Sequence, residues 1–148
     1  MGNGINNVMD SAVKFGAGRY RQGRGVLEHC GQEIRRFGKK AYIVSGPRAF
    51  DAVKDRLLPG LTEAGVEFVA EIYDGVCSYE AADALGKKCL DAGCDEVVGI
   101  GGGVIMDLSK AVAGKAGVGV INIPTSIATC AAFTAMSVMY TPQGAMKD

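Results

Sequence analysis

The sequence predicts an α/β fold, a Rossmann-like parallel sheet with helices on both faces, and three observations carry that reading. Short runs rich in β-branched and apolar residues (Ala41–Ser45, Val66–Ile72, Glu96–Ile100, Gly119–Pro124) alternate with stretches whose apolar residues recur at helical spacing. Glycines stand just past the helical stretches, at Gly38, Gly65 and Gly93, where a helix ends and the chain turns back. Between the third run and its helix stands a triple glycine, Gly101-Gly102-Gly103.

Taken in order, Ala12–Phe15 and Gly18–Arg21 flank glycines and are expected to form an N-terminal β-hairpin. Arg24 to Phe37 carries Val26, Leu27, Cys30, Ile34 and Phe37 on one face, which predicts one amphipathic helix stopped by Gly38. Glu28 and His29 lie off that stripe, so His29 reads as a solvated surface residue rather than a catalyst. Ala41–Ser45 is a buried strand ending at Gly46-Pro47. A helix follows from about Arg48, with Phe50, Val53, Leu57, Leu61 and Ala64 at helical spacing, and Pro59 inside it predicts a kink or break. Val66–Ile72 is the next strand. Ser78 is the expected N-cap of a helix marked by Ala82, Leu85, Cys89 and Ala92.

Val97, Val98 and Ile100 then form a buried strand. The helix that follows is marked by Val104, Ile105, Leu108, Ala111 and Val112 and runs to about Lys115. Three residues without Cβ let a backbone approach a ligand closely, and the first N–H groups of the helix point at it, an arrangement suited to phosphate. The alternative is a glycine-rich connection that only turns the chain. Neither standard fingerprint fits: G-x-G-x-x-G begun at Gly99 would need glycine at Val104, and a Walker A match before Lys115 would need glycine at Ser109 and a hydroxyl at Ala116. Gly119–Pro124 is expected as another buried strand, Thr125–Thr134 as a binding loop, and Met136–Tyr140 as a strand that turns at Thr141–Gly144. In a parallel sheet the ligand crevice lies at the carboxyl ends of the strands, which puts Gly46, Gly101 to Gly103 and Thr125 on one rim.

Composition narrows the function classes. The 148 residues fit one domain, 48% of them are hydrophobic, and 16 Lys and Arg balance 16 Asp and Glu. No basic field exists to hold nucleic acid or an anionic membrane. No apolar run reaches the roughly 18 residues of a membrane span, and the first residues carry no signal-peptide pattern, so a cytoplasmic protein is expected. Five cysteines (Cys30, Cys77, Cys89, Cys94, Cys130) without C-x-x-C suit reduced, buried thiols, and a single histidine argues against a zinc site. The chain stops four residues after a hairpin turn and reads as incomplete.

Gly101-Gly-Gly-Val-Ile-Met-Asp-Leu-Ser-Lys110, followed by Ile123-Pro-Thr-Ser-Ile-Ala-Thr129 and Ser137-Val-Met-Tyr140, resembles the iron-containing alcohol dehydrogenase superfamily, in its glycerol dehydrogenase-like branch. Phe15–Gly23 also resembles the start of those enzymes. The resemblance implies an N-terminal dinucleotide-binding domain over 1–148, a C-terminal helical domain absent from this chain, and hydride exchange between NAD(P) and an alcohol or carbonyl compound. It implies that Gly102 and Gly103 hold the cofactor diphosphate, that Thr125 contacts the adenine end, that Thr134, Met136 and Tyr140 lie along the ribose and nicotinamide, and that Gly46, Gly101, Val104, Asp107 and Ala128 are cofactor-binding as well. Asp107 and Lys110 match the family's helix pattern, the alternative being an i, i+3 ion pair on a solvated face. The family's divalent metal, iron or zinc, is held beyond Asp148, so this chain is expected to supply no metal ligand or catalytic residue and to be inactive alone.

Two positions depart from the glycerol-oxidising pattern. Cys130 stands where those enzymes place a substrate-binding aspartate. Thr-Cys-Ala-Ala followed by an aromatic is more similar to hydroxycarboxylate dehydrogenases, whose substrates are 2-hydroxy and 2-oxo acids, and a pocket without a carboxylate suits an anionic substrate. The alternative for Cys130 is a small buried thiol lining the loop. At the end of the first strand, NAD-preferring relatives often place an acid on the ribose; Gly46 has none and Arg48 is near enough to meet a 2′-phosphate, which favours NADP.

Other classes stay in play: a stand-alone nucleotide-binding module without catalysis, or a dehydroquinate synthase-like lyase, whose Asp-Ser-Ser-Val-Gly-Gly-Lys loop is absent from Thr125–Thr134. The expected partners are a small-molecule substrate and a second copy of the chain.

Overall fold

The computed structural model describes residues 17–147. Four parallel strands, β1 (Lys40–Ser45), β2 (Glu67–Ile72), β3 (Glu96–Gly101) and β4 (Gly119–Pro124), form a sheet of order β2-β1-β3-β4. The helices are α1 (Val26–His29), α2 (Gly31–Arg35), α3 (Pro47–Glu63), α4 (Tyr79–Asp91) and α5 (Gly103–Ala116).

Alternation along the central strands divides the core into two layers. Ala41 and Ile43 of β1, with Val98 and Ile100 of β3, pack against Ile34, Val53, Leu57 and Leu61 of α2 and α3. Tyr42, Val44 and Val97 point the other way, onto Leu85 and Cys89 of α4 and Met106, Leu108 and Val112 of α5. Helices therefore cover both faces, as β1 and β3, apolar on both sides, require. The chain passes from β1 to β2 on one side and then returns past β1 to β3. Strand order reverses between β1 and β3, and the crevice at such a reversal opens at the strands' carboxyl ends.

Several local features differ from the sequence reading. Ala12–Phe15 lies outside the described residues, and Gly18–Arg21 is irregular rather than a strand. The single helix expected over Arg24–Phe37 is two short ones. Gly31 packs so closely on α3 that a Cβ there would stand 2.2 Å from the Gly60 carbonyl oxygen, and the chain is broken at Cys30 to allow that approach. Phe37, past the second of these helices, is exposed instead of continuing the apolar stripe. No break occurs at Pro59, since α3 runs unbroken through it.

β4 was expected to be buried but is a half-exposed edge, because among the described residues it pairs only with β3. Met136–Tyr140 is not a strand: Tyr140 makes single bridges to Ser78 and Met146, and side chains of α5 hold the segment instead. Ser78 caps α4 as expected, its Oγ accepting the Ala81 N–H at 3.1 Å. No helix among the described residues is long and apolar enough to cross a membrane.

Candidate functional site: an uncapped helix terminus at the strand reversal

β3 is buried along its whole length and delivers Gly101 to the carboxyl edge of the sheet. Gly101 itself is buried under α5, where a Cβ would press on the Ile105 side chain at 2.9 Å, so the turn from strand to helix closes this tightly only on glycine. Gly102 takes the N-cap position of α5 with extended backbone, and no atom lies within 4 Å of where its Cβ would be. The first intrahelical bond is Met106 N–H to Gly102 O, at 3.0 Å. The N–H groups of Gly103, Val104 and Ile105 precede it, and among the described residues no side chain caps them. The first turns of α5 and of neighbouring α3 hold no acidic residue. Open space over Gly102, free donors and the positive end of the helix dipole together make an anion cradle.

The other residues expected at the rim gather around this turn. Gly46 caps α3 and faces the first turn of α5, its Cβ position 4.0 Å from Ile105 Cγ1. Thr125 donates its N–H to Gly101 O at 2.9 Å, which ties the end of β4 to the turn. The loop after Thr125 folds on its own hydroxyls: Ser126 Oγ accepts from Ala128 N–H and Thr129 Oγ1 from Ala131 N–H. Thr129 also lies against Gly103, where a Cβ would come within 3.2 Å of its methyl group. Asn122 anchors the far end of the loop by donating Nδ2–H to Ala132 O at 3.3 Å.

Thr134 and Met136 are held on α5 about two turns past the glycine turn, through Lys110, whose Nζ donates to Thr134 O at 3.0 Å and to Met136 O. Tyr140 is half-buried beside the N-terminus of α4, with its N–H on Cys77 O at 2.7 Å. Asp107 and Lys110 are indeed an i, i+3 pair, at 3.0 Å, but not on a solvated face: their side chains are 13% and 10% exposed. Loop segment 134–138 covers them. Cys130 is exposed rather than buried, because the loop lifts it off the core.

Sequence reasoning passed over Thr129, Asn122 and Ser137. Ser137 Oγ–H donates to Asp107 O at 2.9 Å. Thr129 bonds within its own loop, whereas Asn122 and Ser137 bond the backbone of segments 10 and 30 residues away, and only the Ser/Thr-rich composition of the loop hinted at such bonds. Ser45 was read only as the end of a strand; its hydroxyl lies 3.0 Å from the carbonyl of Ile100 and locks the reversal point between β1 and β3.

An α/β unit with a glycine turn at the reversal of its parallel strand order has a Rossmann-like architecture. Residues 17–148 match the family described as iron-containing alcohol dehydrogenase, and the chain belongs to that family. Glycerol dehydrogenase of Thermotoga maritima is 36% identical over 131 residues, covering 88% of this chain and 35% of that protein. Hydroxycarboxylate dehydrogenase A of Escherichia coli is 34% identical over 107 residues, 71% of this chain and 28% of that protein. The crystal structure of a probable glycerol dehydrogenase from Sinorhizobium meliloti 1021 superposes with a TM-score of 0.80 at 28% identity, covering 93% of this chain and 37% of that one. The chain thus spans about a third of the length of the relatives it matches.

Proposed function

We propose that this chain supplies the coenzyme-binding part of a nicotinamide-dependent, metal-dependent oxidoreductase. The reaction is interconversion of an alcohol or 2-hydroxy acid with its carbonyl or 2-oxo counterpart. The observation that carries this reading is the uncapped N-terminus of α5 beside the open face of Gly102. Its free N–H groups bind the coenzyme diphosphate, with Gly101 to Gly103 and Val104 in contact, and the absence of a Cβ at Gly102 leaves room for it. Gly46 and Arg48, at the end of β1, face the adenosine ribose; with no carboxylate there and a guanidinium one residue past Pro47, NADP is favoured over NAD. Thr125 and Ala128 lie at the adenine end, and Thr134, Met136 and Tyr140 along the distal ribose and nicotinamide. When bound, the nicotinamide ring supplies the hydride donor or acceptor.

Cys130 projects from the loop as an uncharged side chain, which suits an anionic hydroxy acid better than a carboxylate would. Hydroxycarboxylate dehydrogenase A, similar over most of this chain, is named for such substrates. The divalent metal, iron or zinc, belongs in this reading to residues outside the chain; among the described residues no three His, Cys, Asp or Glu side chains converge. The 148 residues alone bind coenzyme and do not complete the reaction. The setting is cytoplasmic, the partner a small-molecule substrate rather than nucleic acid or membrane. Exposed Val104, Ile127, Phe133 and Met136 around the rim support self-association.

Calorimetric titration of the chain with NADPH and then NADH tests this reading. Saturable binding with NADPH the tighter ligand is expected. A folded chain that binds neither would overturn the coenzyme assignment, and tighter NADH would overturn the role given to Gly46 and Arg48.

A further inference from the structure

Between Pro124 and Tyr140 no residue joins a strand, yet this segment carries Thr134, Met136 and Tyr140. Its position relative to the glycine turn is fixed by one turn of α5. Lys110 Nζ has three N–H groups and three close acceptors: Asp107 Oδ1 at 3.0 Å, Thr134 O at 3.0 Å and Met136 O. Asp107 Oδ2 accepts the Val138 N–H at 3.1 Å, and Asp107 O accepts from Ser137 Oγ at 2.9 Å. Two side chains and one carbonyl thus hold four points, at Thr134, Met136, Ser137 and Val138, of an otherwise unladdered segment. The pair is nearly buried, where charge-assisted hydrogen bonds are strong and removal of one partner is costly. With its donors saturated inside the protein, Lys110 is not free for a coenzyme phosphate.

Asp107 lies four residues, about 6 Å of helix rise, below Gly103. The helix whose N-terminus forms the anion cradle is therefore also the mount for the segment on the nicotinamide side. Resting on the coenzyme reading above, we infer that Asp107 and Lys110 are a positioning pair. They set residues 134–138 at a fixed distance from the diphosphate cradle, and so govern affinity for the ribose–nicotinamide half of the coenzyme without touching it.

The test compares the 148-residue chain with Lys110→Met and Ser137→Ala variants, each titrated with NADPH and with ADP, which has the diphosphate but no nicotinamide. The expected result is that ADP affinity stays within about twofold while NADPH affinity falls about tenfold in Lys110→Met and about threefold in Ser137→Ala. Ser137→Ala removes one neutral hydrogen bond and leaves the ion pair in place, so it carries the test should Lys110→Met fail to fold. Equal weakening of both ligands, or no change in either, would overturn the positioning role. In the unaltered chain, NADPH is expected to slow amide exchange over residues 134–138 more than ADP does; equal slowing also counts against the inference. A folded unaltered chain that binds neither ligand overturns the coenzyme reading itself, a result distinct from loss of NADPH selectivity in the variants.

Discussion

Ser109 Oγ lies 2.3 Å from the position a Cβ would occupy on Gly99, so α5 rests directly on the backbone of β3 at that point. The same missing side chain leaves room for Asn122 Oδ1, at 2.9 Å, from β4. Gly99→Ala is expected to push α5 off the sheet and cost about 1–3 kcal/mol, the usual range for overpacking a filled core. Ser109→Ala does not rescue it, because the Ser109 Cβ is itself 2.7 Å from the added methyl. Ser109→Ala alone is expected to leave stability unchanged or slightly raised, since its buried hydroxyl has no hydrogen-bond partner among the described residues. Urea denaturation of the two single variants and the double variant checks this, and a Gly99→Ala chain as stable as the parent would refute it.

Glu96, first residue of β3, is fully buried at the opposite end of the sheet, and neither carboxylate oxygen has a hydrogen-bond partner among the described residues. Burial pushes its carboxyl up to about 7, Asp95 adds to the rise, and Arg35 opposes it. Between its ordinary value of 4.5 and about 7 the folded chain holds this proton and the unfolded chain has lost it. Stability therefore falls as pH rises through that window, by a contribution of about 3 kcal/mol, and stays low above it. Glu96→Gln removes the ionisation: at pH 8 the variant is expected to be the more stable, and near pH 4, where Glu96 is protonated in both states, the difference should nearly vanish. Thermal melts of both chains across pH 4–8 decide it, and a variant less stable at pH 8 would refute the assignment.

Gly102 offers a separate test of stability against binding. Its backbone is extended, a conformation open to any residue, and its Cβ position is clear. Gly102→Asp should therefore fold and cap α5, with the carboxylate accepting from the free first-turn N–H groups and adding a few tenths of a kcal/mol. Those same donors are the ones assigned to the coenzyme diphosphate, and the new charge repels it. A slightly raised melting temperature with at least tenfold weaker NADPH binding is expected. Unchanged binding would remove the glycine turn from the site.

The sheet and the turn were legible because they rest on local chemistry. β-Branched runs, helical spacing, Ser78 before a helix and three glycines after a strand each act within a few residues. The differences arise where distant segments decide. Nothing near Cys30 signals a break, which depends on Gly60 lying 29 residues away against Gly31. β4 looks like a central strand by composition, yet its outer side is unpaired among the described residues. For Asp107 and Lys110 the sequence left an i, i+3 ion pair on a solvated face as one alternative; the pair is present but nearly buried, and that burial comes from residues 134–138, whose irregular path no periodicity encodes.

The five thiols should separate sharply in reactivity. Burial pushes Cys77 and Cys89 up to about 11 and raises Cys94 and half-buried Cys30 as well, so none of the four offers much thiolate at neutral pH. Cys130 is exposed on the loop beside the glycine turn. In the folded chain at pH 7.5, iodoacetamide is expected to modify Cys130 at least tenfold faster than any other cysteine, with all five reacting once the chain is unfolded in guanidinium. Peptide mass mapping over a time course reads this directly. If the loop carries the coenzyme as proposed, saturating NADPH should slow Cys130 modification severalfold. Rapid labelling of Cys77 or Cys89 would contradict the packing, whereas fast Cys130 labelling unaffected by NADPH would place the thiol away from the bound coenzyme.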